Sequence, residues 1–113
     1  MNIPQSGVEY WLVSGATDMR QGRFKLAEFV RSQLGGGTLC NHWFIFCSAA
    51  EDQLRILWWD KKGDLHIHCQ YTSHGRFIWP QEPAGSIPLS RAQVKLLFAG
   101  ADWTAENTMW AAA

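Results

Sequence analysis

The apolar residues of this chain change period once, at Gly35-Gly36-Gly37, and that change restricts the folds open to it more than any other feature. On the N-terminal side Met19, Leu26, Phe29, Val30 and Leu34 recur at three- and four-residue steps, with Arg23, Lys25, Glu28, Arg31 and Gln33 on the opposite face. The spacing predicts an amphipathic helix from about Gly22 to Leu34. The three glycines end it, because glycine accepts the left-handed conformation common at helix C-termini. On the C-terminal side the pattern is that of strands for about fifty residues. Trp43 to Cys47 is an uninterrupted apolar run, as expected of a strand buried on both faces. Leu54 to Asp60 places Leu54, Ile56 and Trp58 on one side and Arg55, Leu57 and Trp59 on the other. The adjacent Trp58 and Trp59 must then point to opposite faces, with Trp58 suited to the core and Trp59 to a partner.

Lys61-Lys62-Gly63-Asp64 reads as a hairpin turn into a strand where Leu65, Ile67, Cys69 and Tyr71 alternate with His66, His68 and Gln70. Ser73-His74-Gly75 turns the chain into a further strand, Arg76 to Trp79, closed by Pro80, which has no N–H for a ladder. Before the helix, Val8 to Ser14 is rich in strand formers and stops at Gly15. Near the C-terminus Ser90-Arg91-Ala92-Gln93 is a capping box, with Leu89 and Val94 placed as a hydrophobic staple, so a helix runs from Arg91 to Ala99 and ends at Gly100. The tail after Trp103 is expected to fray. These elements predict an α+β fold: a single antiparallel sheet of four to five strands in a meander with two helices packed on it, forming one domain over residues 1–113. Short turns favour antiparallel neighbours, since parallel ones need a crossover of about a dozen residues or more.

Ten Lys plus Arg balance ten Asp plus Glu, so no global positive field drives non-specific nucleic-acid binding, and any such contact needs a local basic patch. No apolar run approaches the roughly 18 residues that span a bilayer, and residues 1–7 lack the halves of a signal peptide. A cytoplasmic, non-membrane protein is expected. Three cysteines without framework spacing fit free thiols in a reducing compartment.

Three chemistries compete for the polar residues. Cys40, His42, Cys47, His66, His68 and Cys69 are all potential zinc ligands, but no pair has finger spacing. The bland assignment makes the cysteines small apolar fillers and the histidines exposed strand residues, with no metal and no cofactor. Asp18, Asp60 and Asp102 would suit a magnesium-dependent nuclease if they converged; they equally suit a helix cap, a turn and a guanidinium partner. No phosphate loop or nucleophile motif is present, so an enzyme is not expected. Nucleic-acid contact is the third. Arg20, Arg23, Lys25, Arg31, Arg55, Lys61, Lys62 and Arg76, interleaved with Trp59, Phe77 and Trp79, would make a basic stripe with stacking planes. A solvated helix face and a charged hairpin tip would look the same in sequence.

Seven tryptophans stand in the chain, five of them in ordered phrases: Trp11-Leu12 running into Thr17-Asp18-Met19-Arg20, Leu57-Trp58-Trp59-Asp60, Gly75-Arg76-Phe77-Ile78-Trp79-Pro80 and Gly100-Ala101-Asp102-Trp103. With Pro4, Ser6, Gly7, His42, Phe44, Phe46, Gly63, Leu89, Gln93 and Leu97 around them, the order from Pro4 to Trp103 resembles the TnpB-type accessory protein of the insertion sequence sixty-six family. The resemblance implies a non-catalytic factor supporting DNA transposition, acting through contact with DNA, with the transposase of the same element, or with both. It supplies no catalytic residues. The binding candidates are Asp18, Arg20, Arg55, Trp59, Asp60, Lys61, Arg76 and Trp79. The chain departs from the family pattern at Cys47 to Asp52 and at Gln70 to Ser73, where basic residues are usual, and at Arg23, where an aromatic is usual. Two alternatives follow: a protein-interaction module with no nucleic-acid contact, and an inactive divergent copy. Self-association through an edge strand fits either.

Overall fold

The computed structural model describes residues 7–34, 40–72, 75–82 and 85–104. Strand β1 (Glu9–Val13) leads into helix α1 (Arg23–Leu34), then β2 (His42–Cys47), β3 (Gln53–Trp59), β4 (Leu65–Tyr71), β5 (Ser86–Leu89) and helix α2 (Arg91–Phe98). The expected glycine stop at Gly35-Gly36-Gly37, the residues Ser73 and His74 of the third turn, and the tail from residue 105 lie outside the described residues.

The five strands form one sheet in the order β4-β3-β2-β1-β5. Strands β2, β3 and β4 are the expected antiparallel meander, with Trp43 opposite Trp58 and Trp58 opposite His66. Strand β1 departs from that pattern: it pairs parallel to β2, with Tyr10 opposite Trp43, and antiparallel to β5. The parallel pair exists because α1 lies between β1 and β2 and supplies the long crossover that such neighbours require. The sheet is therefore mixed, though mostly antiparallel.

Alternation along the strands sorts the apolar side chains into two layers. On one face Tyr10, Leu12, Trp43, Ile45, Leu54, Ile56 and Trp58 pack with Val94 and Leu97 of α2 and with Trp103. On the other, Val13, Phe44, Phe46, Leu57 and Trp59 pack with Leu26, Ala27 and Val30 of α1. The helices thus cover opposite faces, which is why β2 is apolar at almost every position.

The C-terminal helix forms as its sequence dictates. The Ser90 Oγ accepts from the Gln93 N–H at 3.1 Å, and the Ser90 N–H donates to the Gln93 side-chain oxygen at 2.7 Å. It ends in a Schellman motif, with Gly100 at φ +75°, its N–H on the Leu97 carbonyl and the Ala101 N–H on the Leu96 carbonyl.

Two strand assignments change. Arg76 to Trp79 is extended but joins no ladder; the Phe77 N–H donates to the Glu51 carbonyl at 2.7 Å, and Phe77 and Trp79 close the end of the α2-side core. The fifth strand is Ser86–Leu89, a short edge strand that tolerates Pro88 for that reason.

Candidate functional site

The sheet divides the sequence-selected residues between its two ends. At one end the chain leaves β1 into the turn Thr17 to Gln21. Asp18 binds the Arg20 side chain through both oxygens, accepting from Nε and Nη2 at 3.0 Å each, and also accepts from the Arg20 N–H. Arg20 thereby holds the Asp18 carboxyl down at about 2, while the guanidinium itself stays exposed. Asp18 does not cap α1, whose first turn begins instead on the Gly22 carbonyl.

Arg55 reaches this turn from β3 and donates to the carbonyls of Met19 and Gln21 at 3.2 and 3.1 Å. Its guanidinium clamps the turn to the sheet, so these bonds are spent within the chain. Trp79 is also engaged within the chain. It is 6% exposed, and its indole N–H donates to the Gly15 carbonyl at 2.9 Å, so it offers no stacking plane. Arg76, three residues before it, is exposed.

The other end is built by the β3–β4 hairpin and the start of β2. Asp60 accepts from the N–H groups of Lys62 and Asp64 at 2.9 and 3.0 Å, and Gly63 takes φ +91° to complete the turn. The second Asp60 oxygen meets His66 Nε2 at 2.8 Å. These bonds, His66 first, lower the Asp60 carboxyl below the usual carboxylate range. His66 also stacks on Trp58, centroids 5.2 Å apart at 7°, and Trp58 stacks on Trp43 at 4.1 Å and 11°. Tyr10 meets Trp43 edge-on at 5.8 Å. A column of rings therefore crosses the sheet from β1 to β4.

Beside the column lies a cleft of about 500 Å3, lined by Cys40, Asn41, Trp43, Trp58, Asp60, Lys61 and His66 among others. Lys61 is exposed at its rim. Trp59, expected to face a partner, touches the cleft but is only 6% exposed, because Arg31 of α1 lies over its ring at 5.5 Å. Its outward face is covered by the very helix the sequence predicted.

About 20 Å, the length of β3 at the usual strand rise, separates Asp18 from Asp60, so the two do not share a site. Among the described residues Asp102 pairs with no guanidinium; it accepts from the Thr104 N–H at 2.9 Å. Among the described residues no group of three His, Cys, Asp or Glu is placed to hold a metal ion. Cys69 is exposed where a buried filler was expected, and His68 is half-buried. Cys47 is buried, and that burial, with Glu51 and Asp52 nearby, pushes its thiol up to about 12.

Sequence reasoning passed over Asn41, which lines the cleft with φ +71°, and the joining of His66 to Trp58. The second was open to inference, since a hairpin turning at Lys61 to Asp64 sets His66 opposite Trp58.

Residues 8–108 match the family model described as "IS66 Orf2 like protein". The chain belongs to this family. Two proteins of Sinorhizobium fredii (strain NBRC 101917 / NGR234) are similar to it. Uncharacterized protein y4hO is 34% identical over 103 residues, 91% of this chain and 89% of the relative. Uncharacterized protein y4jC is 31% identical over 101 residues, 89% and 86% of the two chains. No solved structure matches. IS66 Orf2-like membership ties the chain to an insertion sequence and to transposition, in an accessory role. No helix among the described residues is long and apolar enough to cross a membrane.

Proposed function

We propose that this IS66 Orf2-like protein is a non-catalytic accessory factor that supports transposition by docking on the transposase of its own element through the hairpin end. The observation that carries this reading is the fate of the expected base-stacking surface: Trp59 and Trp79 are buried and Arg55 is bound to backbone carbonyls within the chain. Beside the hairpin lies an apolar cleft with a polar rim, a lining suited to an inserted side chain of a protein partner. Lys61 at the rim and Asp60 in the turn would orient that contact.

Titrating the purified transposase against the protein tests this. Lys61→Glu should weaken binding about tenfold or more while leaving circular dichroism unchanged. Absence of any complex, together with a mobility shift of element-end DNA at low salt, would reverse the reading in favour of DNA.

A further inference from the structure

The two edges of the sheet are built differently. The β5 edge is only Ser86–Leu89 and carries Pro88, which blocks pairing. The β4 edge is Leu65–Tyr71, with no Pro, Lys, Arg, Asp or Glu along it. Charge and proline are the usual guards of an exposed edge, and β4 has neither. It also shows apolar side chains to solvent: Ile67 is 37% exposed and Tyr71 68%, with Cys69 exposed between them. Cross-strand register puts these residues on the α1 face, where Leu57 opposes Ile67, yet the cluster on α1 reaches β4 only at Leu65. Among the described residues no strand or backbone group pairs with the outer side of β4.

We propose that β4 pairs antiparallel with β4 of a second copy of this chain, about a two-fold axis through His68, joining the two sheets into one. For apolar side chains to meet on one face the axis must pass through a residue, and His68 is the central residue of the strand. Ile67 then faces Cys69 of the second copy, Leu65 faces Tyr71, and His66 faces Gln70, so apolar meets apolar and no like charges are opposed. An uncharged strand that is complementary to itself favours an isologous dimer over a foreign strand.

The ends agree with the middle. Antiparallel pairing carries the Lys61-Lys62 hairpin of one copy to the end of the sheet that holds Glu51 and Asp52 in the other. Lys61 and Lys62 can there meet Glu51 and Asp52, pairs of opposite sign, while Asp18 is paired with Arg20 and Arg55 is bound to the turn carbonyls. The same step brings Asp60 and Lys61 of one copy to the end that holds Asp18, Arg20 and Arg76 of the other, rejoining what a single chain keeps apart. The dimer does not depend on which partner the hairpin end contacts.

Sedimentation equilibrium on the full chain decides it. The wild-type protein should have twice the monomer mass, and Ile67→Lys or Tyr71→Lys should halve that mass with circular dichroism unchanged. Phe24→Lys, on an exposed position of α1, should remain dimeric. A monomer at every soluble concentration would overturn the proposal, as would a dimer that survives both β4 variants or dissociates with Phe24→Lys alone.

Discussion

Asp18 commits both carboxylate oxygens to its own turn, on the Arg20 amide and guanidinium. The consequence is a pH dependence with a fixed sign. The folded carboxyl titrates at about 2 against an ordinary 3.8, so its stabilising contribution is present above 3.8 and is lost as pH falls toward 2. Thermal melts should show wild type losing more stability across that window than Asp18→Asn, and added salt should shrink the difference because the pair is exposed. Cys47 makes a second residue-level prediction. Buried and with its thiol held at about 12, it should resist alkylation at neutral pH until the protein unfolds, which mass spectrometry after iodoacetamide treatment would report. Trp103 makes a third. It is fully buried in the α2-side core and donates to the Ile78 carbonyl at 2.7 Å, so Trp103→Ala should cost about 3–5 kcal/mol in urea denaturation.

At the scale of elements, α2 is where local sequence and structure agree most closely. Removing one half of its capping box by Ser90→Ala should cost about 1 kcal/mol and raise amide exchange in residues 91–94 before the rest of the helix. Both helices and four of the strands could be read because their periods are long enough to be distinctive. Ser86–Leu89 was missed since four residues with a proline give no alternation to detect. Arg76 to Trp79 reads as a strand in sequence because Phe77 and Trp79 do alternate inward, as in a strand, although the backbone bonds elsewhere. The candidate site was legible at the hairpin, where Asp60 and Gly63 are turn residues by chemistry. It was not legible at Trp59, since a period of two assigns a side chain to a face without saying whether a helix covers that face.

For the whole molecule, the decisive fact is that the two apolar layers share one sheet. Strands β2 and β3 contribute to both, with Phe44 and Leu57 on one side and Ile45 and Ile56 on the other. Neither layer can be lost while the other stays intact. Tryptophan fluorescence, weighted toward the α2-side layer, and far-ultraviolet dichroism should therefore follow a single urea transition with coincident midpoints.

The parallel pairing of β1 also sets an order of assembly. The meander β2-β3-β4 needs only neighbouring segments and can form early, whereas β1 must wait for the chain to pass through α1 before β2 exists to receive it, and for β5 before its other side is covered. The first of the five strands along the chain is thus among the last to be enclosed. A chain halted on the ribosome before Ser86 would hold β1 with one flank bare, and such nascent chains should depend most on chaperones.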